Sequence, residues 1–162
     1  MTLSFKEDHI SQIPALMMLE KVGYTYLTPA EAMELRGGNA SNVLLEPILR
    51  EQLAKINTVQ VSSQRTTVFS EQNITAGIEA LKNLPMAEGY MTASQVAYDL
   101  LTAGKTLEQI VDGDKKSYVM QYIDWKHIEN NAFHVTEEFA VNRTGMSDTY
   151  RPDIVLFVNG IP

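Results

Sequence analysis

The sequence predicts an α+β fold, with helices flanking a mixed or antiparallel sheet, and three observations point there. Apolar residues recur at helical spacing through the N-terminal part of the chain. After residue 110 the pattern changes to segments rich in Tyr, Val, Ile and Phe with partial alternation. Turn signals at Asp112-Gly-Asp114, Glu129-Asn-Asn131 and Arg143-Thr-Gly145 separate those segments. Helices first and strands later is the α+β order. With 162 residues, 44% hydrophobic and 20% charged, the chain can bury its own core. One domain over 1–162 is expected, with a helical region over about 5–104 and a sheet region over about 110–162.

The elements follow from local signals. Ser4-x-x-Glu7 reads as a capping box before apolar residues at Ile10, Ile13, Leu16, Met17 and Val22. Pro14 lies inside that stretch, so either the helix begins near Ser11 with Pro14 in its first turn, or it kinks there. Gly23 ends it, and Tyr24-Thr-Tyr-Leu27 reads as a short strand. Thr28-Pro29-Ala30-Glu31 starts the next helix, with an N-cap threonine, proline at the first helical position and glutamate three residues after the cap. Gly37-Gly38 stops it.

Residues 42–56 place Val43, Leu44, Ile48, Leu49, Leu53 and Ile56 on one helical face. Ser70 caps a helix running to about Leu84, and Thr92-x-x-Gln95 opens one to about Ala103, with Gly104 beyond. Ser117 to Trp125, Ala132 to Val141 and Asp153 to Val158 read as strands.

Composition narrows the function. No segment approaches the roughly 20 apolar residues that span a bilayer, and the N-terminus lacks the basic-then-apolar layout of a signal peptide. There is no cysteine, which removes disulfides and thiolate metal sites and fits a cytoplasmic protein. The net charge is −7, with 13 Lys and Arg against 20 Asp and Glu, and Lys115-Lys116 is the only adjacent basic pair. Nucleic-acid affinity comes mostly from phosphate neutralisation, so these residues alone are not expected to grip DNA tightly. A nuclease module can still be acidic, because its carboxylates hold cations.

The leading candidate for chemistry is Asp153. Pro152 fixes its own φ and biases Arg151 towards an extended conformation, so the carboxylate sits at the start of a strand. A hard cation such as Mg²⁺ needs carboxylate oxygens in near-fixed geometry. The other reading is a solvated turn aspartate, because Pro-Asp before a strand is common turn chemistry.

Other residues carry less. Glu137 and Glu138 in a strand point to opposite faces, so they cannot act as a pair, although one could face a site. Asp112-Gly-Asp114 lacks the later ligands of a calcium loop and reads as a hairpin turn. His9, His127 and His134 are isolated. Gly37-Gly-Asn39 has no Gly-Lys-Ser/Thr and is no phosphate loop. Trp125 and the seven tyrosines could stack bases, but aromatics in strands usually fill cores or cross-strand pairs.

Several segments together carry a resemblance. They are Leu16-Met-Met-Leu-Glu-Lys-Val-Gly-Tyr24, Val43-Leu-Leu-Glu-x-x-Leu-Arg-Glu-x-Leu53, Ile128-Glu-Asn-Asn131 before Phe139-x-Val141, and Arg151-Pro-Asp-Ile-Val-Leu-Phe-Val-Asn-Gly-Ile-Pro162. In this order the chain resembles the N-terminal region of the R subunit of type I restriction-modification enzymes. The resemblance implies a partial PD-(D/E)xK restriction-endonuclease-like fold with Asp153 as the metal-binding and catalytic aspartate. In that family a Glu/Asp-x-Lys motif follows on the next strand, and the sequence reaches Pro162 before any such motif. The chain is therefore expected to be cut before that strand, to leave the Asp153 strand with an unpaired edge, and to be inert alone.

The family also tends to place an acid on the first helix. Here that register falls around Gln12, with Glu7 and Glu20 the only acids near it; Glu138 is a further weak candidate. The resemblance implies Mg²⁺, DNA and the modification and specificity subunits as partners, and ATP for a motor region outside these residues. The rival expectation is a non-catalytic α+β module that binds protein and uses the Asp153 strand only structurally.

Overall fold

The computed structural model describes residues 11–142 and 148–162. They divide into two compact units, one formed by 11–45 with 132–142 and 148–162 and the other by 46–131.

The first unit is built on a three-stranded mixed sheet of order β1-β6-β9. β1 (Thr25–Leu27) runs parallel to β6 (Phe133–Glu137), and β9 (Ile154–Val158) runs antiparallel to it. The mixed sheet agrees with the sequence expectation. β6 is the central strand, and both Val135 and Thr136 on its two faces are fully buried. α1 (Ile13–Lys21) has proline in its first turn, where the missing N–H costs nothing, so the helix is not kinked there. Ser4 and Glu7, the expected capping box, lie outside the described residues.

α2 (Pro29–Leu35) begins as expected: Thr28 accepts from the Glu31 N–H, and the Glu31 carboxylate accepts from the Thr28 N–H. Arg36 follows, nearly fully buried, donating to the carbonyls of Ala40, Asn42 and Ala140 and stacking on the Phe139 ring at 4.0 Å. Phe139 meets Phe157 edge-on. A small antiparallel pair, β7 (Val141–Asn142) and β8 (Thr149–Tyr150), completes the unit.

The second unit holds three α-helices, two short 3-10 turns and two hairpins. α3 (Glu46–Ile56) begins four residues later than the 42–56 expected from periodicity. Pro47 sits in its first turn, and before it the Leu44 N–H turns to Asn42 Oδ1 while the Leu45 N–H donates to the Gly160 carbonyl. α4 (Glu71–Lys82) has the expected Ser70 cap on the Asn73 N–H. α5 (Tyr90–Ala103) has Gly89 at its N-cap position, three residues before the expected Thr92 cap; the Thr92 hydroxyl instead bonds back to the Glu88 carbonyl. Gly104 (φ +80°) terminates it, and a Cβ there would lie 2.5 Å from the Met120 carbonyl oxygen.

A hairpin of β2 (Thr58–Ser62) and β3 (Arg65–Val68) lies inside the stretch expected to be helical. β4 (Lys105–Val111) and β5 (Asp114–Met120) form the second hairpin, closed by the expected Asp112-Gly113 turn. The strand expected to reach Trp125 stops at Met120. Asn57 is the reason: its side chain accepts from the Gln121 N–H and donates to the Gln121 carbonyl, taking both groups from the ladder. Beneath the hairpin, the Tyr122 hydroxyl donates to the Gly77 carbonyl, and a Cβ at Gly77 would meet Met120 Sδ at 2.6 Å.

Candidate functional site

The Pro152-Asp153 step is held by backbone on both of its carbonyls. Phe139 N–H donates to the Pro152 carbonyl at 3.2 Å and Glu138 N–H to the Asp153 carbonyl at 3.1 Å. Two consecutive donors on two consecutive acceptors is a pattern that a regular antiparallel ladder does not have, since its narrow and wide pairs alternate. Glu138 makes it possible by adopting φ +51°, in the left-handed region that non-glycine residues rarely enter.

The expectation for Glu137 and Glu138 is corrected here. The sequence makes them neighbours on one strand facing opposite ways, but β6 ends at Glu137 and Glu138 turns out of it. The Glu138 carboxylate meets Arg151 at 3.2 Å on the surface. The Glu137 carboxylate accepts from the Tyr26 hydroxyl at 2.8 Å, joining β6 to its parallel neighbour β1. Burial, the Glu137 bond and the nearby charges of Glu137, Glu31 and Glu20 push the Tyr26 hydroxyl up to about 12.

Asp153 itself presents an exposed carboxylate at the start of β9. Gln12 reaches the same point from the other side: its Nε2 donates to the Asp153 carbonyl at 2.9 Å. Glu20 lies exposed at the far end of α1, and Glu7 is outside the described residues. Among the described residues, no three His, Asp or Glu side chains come together to hold a metal ion. The carboxylate donors near Asp153 are spoken for, Glu137 by Tyr26 and Glu138 by Arg151. These residues do not complete a Mg²⁺ site, and no chemical step follows from one here.

The remaining candidates fall elsewhere. His127 is exposed, 3.7 Å from Glu129. His134 lies on β6 with Nδ1 buried and unbonded, and desolvation lowers its pKa. Lys115 and Lys116 are paired with Glu108 and Asp114, so the only basic pair makes no cationic patch. Trp125 donates from Nε1 to the Leu101 carbonyl and remains largely exposed. No described helix is long and apolar enough to cross a membrane.

Sequence reasoning missed two participants, the Gln12 amide as a backbone clamp and Tyr26 as the partner of Glu137. The first had a signal, a polar residue four positions before buried Leu16 on the inward stripe of α1. The second had none, because it needs the pairing of β1 with a strand more than 100 residues away.

At the C-terminal end of β9 the Asn159-Gly160 turn is also locked. Asn159, with φ +54° and fully buried, accepts on Oδ1 from the Ala132 N–H and donates its own N–H to the Ala132 carbonyl, both at 2.8 Å. β9 is thus fixed at both ends, with Asp153 at one and Asn159 at the other. Among the described residues it pairs with β6 alone, apart from the Val158–Ile161 bridge at the turn.

Comparison with known proteins supplies the family. The family "Type I restriction enzyme R protein N terminus" matches residues 4–162. The chain is 27% identical over 161 residues to the type I restriction enzyme HindI endonuclease subunit of Haemophilus influenzae, covering 96% of this chain and 14% of that protein. It is 25% identical over 157 residues to a provisionally named type I restriction enzyme MjaIXP endonuclease subunit of Methanocaldococcus jannaschii, again 96% of this chain and 14% of the relative. A second such subunit from that organism, MjaVIIIP, is 30% identical over 147 residues, 89% of this chain and 12% of the relative. No solved structure matches the chain significantly. The chain spans about one seventh of the length of the curated relatives it matches. With a match from residue 4 to residue 162 on an α+β framework, the chain belongs to the family of type I restriction enzyme R protein N-terminal regions.

Proposed function

We propose that this chain is the nuclease module of a type I restriction R subunit, acting in the cytoplasm, and that Asp153 is the carboxylate on which its cleavage site is built. In the intact subunit the module would cut unmodified double-stranded DNA in a Mg²⁺-dependent reaction. Regions outside these residues would couple that cut to ATP-driven translocation, and the modification and specificity subunits would be its partners. The observation that carries the reading is the mount of Asp153: an exposed carboxylate on a backbone whose Pro152 and Asp153 carbonyls are both bonded, within the stretch that matches the family.

These 162 residues have no lysine and no further acid after Asp153. Among the described residues the carboxylates near Asp153 are taken up, Glu137 by Tyr26 and Glu138 by Arg151, and none gathers with it to share a metal or to stabilise charge on an attacked phosphate. The chain on its own is therefore expected to be inert. In the intact subunit, Asp153→Asn lowers DNA cleavage by about 10²–10³-fold, the scale on which removing one electrostatic group from a site acts. Cleavage by the Asp153→Asn subunit at the parent rate would remove Asp153 from the site. Mg²⁺-dependent cleavage by the 162-residue chain itself would sink the claim of inertness.

The paired lysines and the net charge of −7 favour, as a second reading, a module that binds protein and does no chemistry. An intact subunit that cleaves only when Asp153 is present decides against it.

A further inference from the structure

We infer that Gln12 is a positioning residue of this site, a neutral amide clamp that fixes the backbone of Asp153 and is not itself a metal ligand. Its functional side rests on the reading of Asp153 as the site carboxylate; its geometry does not.

Gln12 precedes α1 in a turn of the wider π type and is only 8% exposed. Leu16, four residues on, is equally buried, so Gln12 occupies the stripe of the helix that packs inward. An amide on an inward stripe is costly unless its polar atoms are bonded. Its Nε2 meets that need on a residue 141 positions away, the Asp153 carbonyl, at 2.9 Å. That carbonyl already accepts from the Glu138 N–H at 3.1 Å. A carbonyl oxygen has two lone pairs, and here both are occupied, one by a backbone donor from a strained residue and one by Gln12.

The two donors act on one atom for different reasons. Glu138 at φ +51° holds a conformation that costs free energy and persists only when its surroundings over-determine it. Gln12 supplies part of that over-determination by pinning the acceptor. Strained backbone and π-type turns are both concentrated at functional sites, and here they converge on the residue that bears the candidate carboxylate. The donor is also of the wrong kind for a ligand. Its NH₂ group faces the carbonyl, whereas a carboxylate at the same place would set acceptor against acceptor. A glutamate at position 12 would therefore break the clamp, while under a ligand role it would strengthen metal binding.

The test uses Gln12→Glu and Gln12→Leu, each close in size to glutamine. In the full chain, amide hydrogen exchange at Glu138 and Phe139 is expected to be about fivefold faster in both variants, the effect of losing one hydrogen bond. The amides of the β4–β5 ladder serve as an internal reference and stay unchanged, which separates a local release from general unfolding. In the intact subunit both variants lower kcat for DNA cleavage by about tenfold and leave KM for DNA unaltered. Parental exchange at Glu138 and Phe139 in both variants would overturn the clamp, as would Gln12→Glu cleaving as fast as the parent. Failure of the Asp153 reading looks different: Asp153→Asn would cleave at the parent rate, while the exchange effect of Gln12→Leu would persist.

Discussion

Two hairpin turns in this molecule use the same local grammar and have opposite status. Asn159-Gly160 follows β9 and Asp112-Gly113 joins β4 to β5. Each places its first residue in the left-handed region, at φ +54° and +53°, and follows it with a glycine at φ +80° and +88°. These are turns in which residues with short polar side chains tolerate positive φ and glycine accepts it without steric cost. Asp112 is exposed, and among the described residues its side chain is tied by a surface pair with Arg65. Asn159 is fully buried, bonded twice to Ala132, and Gly160 beside it accepts from the Leu45 N–H.

The difference teaches how the site is held. The exposed turn closes strands that are already neighbours in sequence, and the ties to its ladder, Gln109 to Val68 and Ser70, and Asn73 to Glu108, lie along β4 and not at the turn. The buried turn ends a strand whose partner β6 is in turn paired with β1, more than 100 residues earlier. Local propensity cannot secure that arrangement, so side chains do it: Asn159 at one end of β9, Gln12 at the other, and Tyr26 across β1 and β6.

The largest effect is expected at Asn159. Asn159→Ala leaves the half-buried Ala132 N–H unbonded, empties a fully buried side-chain position and puts alanine at a positive φ, so stability should fall by about 3 kcal/mol. Denaturant unfolding measures it; a loss below about 1 kcal/mol would mean that burial adds nothing to the turn.

Tyr26 is expected to come next. Tyr26→Phe removes one hydrogen bond to a partly exposed carboxylate, a loss of about 1 kcal/mol. Burial of the Tyr26 hydroxyl, together with this contact, predicts a pH dependence. Unfolded tyrosine ionises near 10.0 and the folded side chain at about 12, so between these values unfolding releases a proton. Stability contributed by the neutral hydroxyl is complete below pH 10 and is lost as pH rises towards 12. Thermal unfolding of the parent and of Tyr26→Phe across that range should show the parent losing stability more steeply; parallel curves would rule the contact out.

The smallest effect belongs to the exposed turn. Asp112→Gly fits the positive φ and loses only a surface ion pair, so its effect on unfolding should stay within about 0.5 kcal/mol. A loss as large as that of Asn159→Ala would erase the distinction between the turns.

Where one local signal dominated, the sequence was legible. Thr28-Pro29-Ala30-Glu31, Ser70 and Asp112-Gly113 each do what short-range chemistry requires, because their partners lie within a few residues. The β2–β3 hairpin is hard to read because β2, Thr-Val-Gln-Val-Ser, alternates over only five residues and its partner β3, Arg-Thr-Thr-Val, does not alternate. The end of β5 at Met120 depends on Asn57, over 60 residues away, and no window around 121 contains that information. Glu138 reads as an ordinary strand residue and becomes a left-handed one only because Asp153 and Pro152 offer their carbonyls.

By itself the sequence determined the α+β class, the helix starts at Thr28 and Ser70, the Asp112-Gly113 turn and Asp153 as the residue to watch, all consequences of residue types and spacings along the chain. Tertiary structure alone decided that Gln12 turns its amide to the Asp153 backbone, that Glu137 is taken up by Tyr26, and that Asn159 is a buried anchor while Asp112 is a surface turn. The physical reason is common to all of these. A hydrogen bond between distant residues is set by which strands pair and which face is buried, and that is fixed by the whole chain's packing and not by any stretch of it.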